Sequence, residues 1–75
     1  MPKLPVISAK KLIKVLKKKG FQLDRIHGSH YIFVHVSDNK SVAVPVHQGH
    51  DLGRGIMIAI LKDADISTEE FLKSL

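Results

Sequence analysis

The sequence predicts an α+β fold of order α-β-β-β-α-α, and three observations carry that prediction. Apolar residues recur at helical spacing over residues 8–20, the period falls to two between residues 21 and 47, and helical patterning with a capping signal returns after residue 55. The chain has 75 residues, half of the ~150 that serve as a prior for one domain. One domain spanning residues 1–75 is therefore expected. A chain this short buries only about 60% of its unfolded surface, which leaves little room for an internal active site.

The first helix opens at Ser8, an N-cap residue, with Ile7 and Leu12 placed to staple across it. Ala9, Leu12, Ile13, Val15 and Leu16 keep helical spacing while lysines fill the other positions. Gly20 supplies a left-handed residue after the last turn, and Phe21 can fold back on Leu16. Phe21 to Ile26 then alternates, Gly28-Ser29 breaks the pattern, and Tyr31 to Val36 is rich in β-formers. Ser37-Asp38-Asn39-Lys40 is turn chemistry, and Ser41 to Val46 alternates again, so three strands form a meander. His47 to Gly55 reads as loop. A second helix is expected from about Ile56 to Ala64, burying Ile56, Ile60 and Leu61 or their neighbours. Ser67-Thr68-Glu69-Glu70 is a capping box with Ile66 and Phe71 as its staple, so a short third helix follows.

Asp38-Asn39, taken as a two-residue hairpin loop, sets a register. Tyr31–Val46, Phe33–Val44 and His35–Val42 then share the larger apolar face, which should meet the helices. His30–His47, Ile32–Pro45 and Val34–Ala43 share the open face. Ile32–Pro45 is a non-hydrogen-bonded pair in this register, so the missing N–H of Pro45 costs no ladder bond. His30 and His47 would face each other with Cα atoms about 4.5 Å apart.

Composition narrows the function classes. Hydrophobic residues make up 44% and charged residues 25% of the chain, as in a folded globular protein. There is no cysteine, which excludes disulfides, thiolate metal sites and thiol nucleophiles. No apolar run approaches the ~18 residues that span a bilayer, and no signal-peptide core is present, so a soluble cytoplasmic protein is expected. The net charge is +5, and residues 1–20 hold seven lysines and no acid. A basic helix beside a histidine-rich centre suits a polyanionic partner; a lysine face that only keeps the protein soluble is the competing reading.

Histidines, carboxylates and hydroxyls remain as chemical candidates. Gly-rich phosphate loops, H-E-x-x-H and glycosidase-type carboxylate pairs are absent. His27, His30, His47 and His50 have no anchoring carboxylate at metal-ligand spacing, so neither a metal site nor a cofactor is expected. Histidine suits proton transfer, because an imidazole ordinarily titrates near neutrality. Scission of RNA by its own 2′-hydroxyl needs a base, an acid and cationic support, which histidine with lysine or arginine supplies.

Four stretches resemble the HicA-type toxins of type II toxin–antitoxin pairs, over nearly the whole chain. Ser8-Ala9-Lys10-Lys11-Leu12-Ile13-Lys14-Val15-Leu16-Lys17-Lys18-Lys19-Gly20-Phe21 is similar to the family's opening helix. Gly28-Ser29-His30-Tyr31-Ile32-Phe33 is similar to its G-S-H strand, and Val44-Pro45-Val46-His47 to its V-P-x-H segment. Leu52 and Gly55 to Ile60-Leu61-Lys62, with Ala64, Ile66 and Ser67, resemble its closing G-T-L-x-x-I-L-K-x-A-G-I-S. Two departures stand out: Ile56-Met57-Ile58 replaces T-L-R, and Asp65 replaces the glycine of A-G-I. The resemblance implies a fold similar to a double-stranded-RNA-binding domain. It also implies ribonuclease action on mRNA, a catalytic histidine that by position is His30, and inhibition by a HicB-type antitoxin.

Each candidate has a plainer structural reading beside it. Without the resemblance His30 would pass for an ordinary open-face strand histidine. Gly28 serves the turn that presents it, Ser29 donates to a phosphate or satisfies the turn, and His47 is supporting or structural. His27 and His50 read as solvated loop residues, and His35 as a packed or rim histidine. Lys10, Lys11, Lys14, Lys17, Lys18 and Arg54 are the expected RNA-binding residues. Ile32, Val34 and Ala43 form an apolar strip on the open face, expected to contact the antitoxin. The alternative function is a non-catalytic RNA-binding module of the double-stranded-RNA-binding type; an inactive relative that only binds its antitoxin is a third.

Overall fold

Ser8 begins the first helix as expected, its Oγ accepting the Lys11 N–H at 3.3 Å. In the computed structural model, which describes residues 5–47 and 50–75, the elements are α1 (Ala9–Lys18), β1 (Phe21–His27), β2 (His30–His35), β3 (Ser41–Pro45), α2 (Arg54–Ala64) and α3 (Thr68–Ser74). Ile7 and Leu12, the staple pair, are both buried. Gly20 follows the last turn of α1 at φ +95, its N–H donating to the Lys17 carbonyl, and buried Phe21 lies beyond it.

The strands form one antiparallel sheet in the order β1-β2-β3. Together with the helices this is the α-β-β-β-α arrangement with an extra C-terminal helix that the sequence predicts. Phe21, Phe33, Val42 and Val44 are buried from the sheet, and Leu12, Val15, Leu16, Met57, Ile60, Leu61 and Phe71 from the helices. The helices α1 and α2 thus pack on one face of the sheet and α3 packs on α1, and full burial of each large apolar side chain contributes about 1.5–3 kcal/mol. The helix α3 starts with the predicted capping box: Glu70 N–H donates to Ser67 Oγ at 3.1 Å, and Ser67 N–H to Glu70 Oε1 at 3.4 Å.

Three expectations need correction. First, β3 is displaced by two residues relative to the expected register: His30 faces Pro45, Ile32 faces Ala43 and Val34 faces Ser41. Five residues, Val36 to Lys40, link β2 to β3, and the His35 side chain organises them. The Ser37 and Asp38 N–H groups both donate to His35 Nδ1 at 3.2 Å, and His35 N–H donates to the Lys40 carbonyl at 2.9 Å. A shift of two preserves which residues share a face. Hence the open face keeps His30, Ile32, Val34 and Ala43, but the His30–His47 pair is not formed.

Second, α2 begins two residues early, at Arg54, and Ile56 is exposed while Met57 takes the buried position. Of the segment expected to be loop, Arg54 and Gly55 are helical, and Gln48 and Gly49 lie outside the described residues. Third, β1 contains a bulge at Asp24, so its alternation is broken between Leu23 and Arg25. The helix α2 ends with Asp65 in the left-handed region at φ 59, which aspartate tolerates, and its carboxylate accepts from Lys40 Nζ at 3.1 Å.

Candidate active site on the open sheet face

Gly28 and Ser29 alone link β1 to β2, and His27 pairs with His30 across them. Gly28, the first central residue, has φ +58, while Ser29 keeps a negative φ. That is the sign pattern of a type II′ turn, whose twist suits a two-residue hairpin. The turn fixes His30 at the first position of the central strand. Alternation then places His30, Ile32 and Val34 on the face away from the helices, and Tyr31, Phe33 and His35 on the helix side.

The register completes the open face. From β1 come His27, Arg25 and Gln22, facing His30, Ile32 and Val34; from β3 come Pro45, Ala43 and Ser41. Arg25 shares this face with His27 by simple alternation, Ile26 between them lies on the helix side, and the bulge at Asp24 brings Leu23 to the helix side as well. Leu23 and Ile26 lie on an edge strand that the helices overhang incompletely, and they are 45% and 50% exposed. His30 and His27 are exposed, and neither ring has a hydrogen-bond or ion-pair partner among the described residues. Ile32 and Val34 are half-buried, Ala43 is exposed.

One end of the molecule gathers the remaining features. Val46 N–H donates to the Ser29 carbonyl at 2.7 Å, extending the ladder past Pro45 and carrying the chain to His47 beside the turn. Leu52 N–H donates to the Ile7 carbonyl at 2.9 Å, and Ser8 bridges Asp51. The N-termini of α1 and α2, with Lys10 and Arg54, therefore lie at the same end as His27 and His30. His47 and His50 are exposed there, the His50 N–H donating to the His47 carbonyl at 3.1 Å. Among the described residues, no group of three or more metal-ligating side chains is brought together.

The lysines are placed differently from the histidines. Ala9, Leu12, Val15 and Leu16 face the sheet from α1, so exposed Lys10, Lys11, Lys14, Lys17 and Lys18 point away from it. Helix and sheet separate Lys11, Lys14, Lys17 and Lys18 from the open face, whereas Lys10 stands in the first turn of α1 at the His30 end. Lys11, Lys14 and Lys18 rim a groove of about 580 Å³ that also includes Val6, Ile7 and Val15. Lys18 Nζ donates to the Ser74 carbonyl there at 3.1 Å, whereas Lys17 and Lys18 sit at the end of α1 remote from His30.

The fifth histidine is structural. His35 Nε2 lies 3.0 Å from the Lys19 carbonyl, and its ring stands edge-on to Phe21 at a centroid distance of 5.0 Å. This agrees with the packed or rim role expected for it. His27 is the residue that the sequence undersells. Its signal is nevertheless there: two strands joined by Gly-Ser pair the residues on either side of it.

Residues 9–66 match the family described as HicA toxin of bacterial toxin–antitoxin. The chain belongs to the HicA toxin family. The HicA match runs from the start of α1 through the whole sheet to Ile66 beyond α2, includes His27 and His30, and leaves α3 outside. A search of curated proteins finds no match. Membership makes the chain a toxin of a toxin–antitoxin system. No helix among the described residues is long and apolar enough to cross a membrane.

Proposed function

We propose that this HicA chain is a cytoplasmic ribonuclease that cleaves mRNA on its open sheet face, with His30 as a general acid–base group and no metal ion. A HicB-type antitoxin silences it by covering that face. The observation that carries the reading is His30 itself: an exposed imidazole, unpartnered among the described residues, held at a two-residue turn in a member of the HicA toxin family. An imidazole so placed can take a proton from the 2′-hydroxyl of a bound strand, or return one to the leaving oxygen. Gly28 shapes the turn, and the Ser29 hydroxyl is available to a phosphate oxygen. His47 supports from the neighbouring loop, without the direct pairing that the sequence suggested.

Cationic support divides by position. Lys10 and Arg54 stand at the His30 end and suit phosphates flanking the scissile bond. Lys11, Lys14, Lys17 and Lys18 lie across the sheet and suit more distant phosphates, or acidic residues of the antitoxin along the groove. Ile32, Val34 and Ala43 supply the apolar contact for the antitoxin beside His30.

The test is incubation of the purified protein with a defined mRNA, read by electrophoresis. Discrete fragments are expected. A retarded band with no fragments would instead mark a non-catalytic RNA-binding module, or an inactive toxin.

A further inference from the structure

We infer that His27 is the second proton-transfer group of this site, and that His27 and His30 divide the two proton transfers of RNA scission between them. The inference rests on the ribonuclease reading above and adds a residue to it. Paired residues of an antiparallel hairpin project to the same face with Cβ atoms about 4.5–5.5 Å apart. His27 and His30 are such a pair, closing the two-residue turn. Both rings are exposed, and neither has a partner among the described residues. His35 shows what a structural histidine looks like in this same sheet: its two ring nitrogens meet one carbonyl and two backbone N–H groups. Nothing comparable occupies His27.

The chemistry needs two groups at once. One imidazole removes the proton of the 2′-hydroxyl as that oxygen forms a bond to phosphorus. The other, as imidazolium, donates a proton to the 5′-oxygen as the phosphorus–oxygen bond to it breaks. The products are a 2′,3′-cyclic phosphate and a free 5′-hydroxyl; protons and electron pairs balance without metal, redox partner or water. A single histidine would have to do both on opposite sides of the phosphorus. Two histidines on one face can flank it. Arg25 stands on the same face and strand as His27; its guanidinium pairs with Asp24 at 2.5 Å, so it supports the charge on the phosphoryl oxygens only by exchanging that carboxylate for them.

Leaving-group replacement tests the division. The substrates are an ordinary RNA oligonucleotide and the same oligonucleotide with sulfur replacing the 5′-bridging oxygen, a leaving group that departs without a proton. The proteins are wild type, His27→Ala and His30→Ala, each checked for fold by circular dichroism. Both variants should cleave ordinary RNA about 100-fold or more slowly. One of the two, and only one, should recover to within about tenfold of wild type on the sulfur substrate, which identifies it as the acid. Wild-type rates for His27→Ala on ordinary RNA would overturn the inference while leaving the ribonuclease reading intact. So would rescue of both variants, or of neither. A wild type inert on both substrates would overturn the ribonuclease reading and this inference with it.

Discussion

The His35 Nε2 lies 3.0 Å from the carbonyl oxygen of Lys19, and this contact joins the far end of the sheet to the end of α1. The tautomer that satisfies every neighbour carries its proton on Nε2, donates it to Lys19, and leaves Nδ1 to accept from Ser37 and Asp38. One side chain thereby sets both the helix exit and the β2–β3 loop. The contact also dictates the residue between them. A Cβ on Gly20 would stand 2.8 Å from His35 Nε2, and Gly20 already sits at φ +95.

Gly20→Ala should therefore destabilise the protein by about 1–3 kcal/mol, from backbone strain and the clash together. Urea unfolding measures it. Adding His35→Ala should recover the steric part, so the double variant should fall short of the summed single losses. Strict additivity would show that the two residues do not interact.

Glu70 binds its proton more weakly than an ordinary glutamate. Its pKa is lowered, first by the Ser67 backbone N–H and the Ser67 hydroxyl, then by Lys19, 3.5 Å away. A carboxyl whose pKa is depressed on folding adds stability above its unfolded value and loses it as pH falls through the folded one. Glu70→Gln should lower the urea midpoint slightly near neutrality and flatten its decline between about pH 5 and pH 3. An unchanged acid limb would mean that Glu70 does not contribute to it.

Position should decide which cations matter for RNA. Lys10→Glu and Arg54→Glu, at the His30 end, should weaken RNA binding and lower the steepness of its logarithmic salt dependence. The expected change is about 0.7–0.9 in slope for each phosphate that the variant no longer neutralises. Lys17→Glu, at the other end of α1, should change the slope less. Equal slopes for all three, measured by fluorescence anisotropy over a salt series, would count against a site centred on His30.

The antitoxin surface is tested by Val34→Lys. Val34 is half-buried on the open face four residues along β2 from His30, so lysine there should weaken antitoxin binding by tenfold or more, about 1.4 kcal/mol. The fold and much of the cleavage activity should survive. Wild-type affinity, or hydrogen-exchange protection in the complex away from residues 30–34, would place the antitoxin elsewhere.

Much of the fold and part of the site are legible in the residues, for reasons the same residues explain. Caps are local, so Ser8, Gly20 and the Ser67–Glu70 box act as their spacing implies. Face assignment survives a wrong register because the error is an even number of residues. For the same reason, Pro45 loses no ladder bond in either register, so its position cannot choose between them. What decides the register is a side chain, the His35 ring inside its own loop, and turn composition does not encode that. The bulge leaves a readable trace, since Leu23 and Ile26 are three residues apart where strict alternation requires an even spacing. The Gly28-Ser29 turn sets His27 against His30 by the same cross-strand pairing that acts in the second hairpin.

The central claim is that His30 performs acid–base chemistry on RNA without a metal. Cleavage of a defined mRNA by wild type and His30→Ala, each in excess chelator, tests it most directly. Wild type should cut at its full rate, and His30→Ala should bind the RNA with similar affinity while cutting about 100-fold or more slowly. Undiminished cleavage by His30→Ala, or loss of wild-type activity on chelation with recovery on adding a divalent ion, would contradict it.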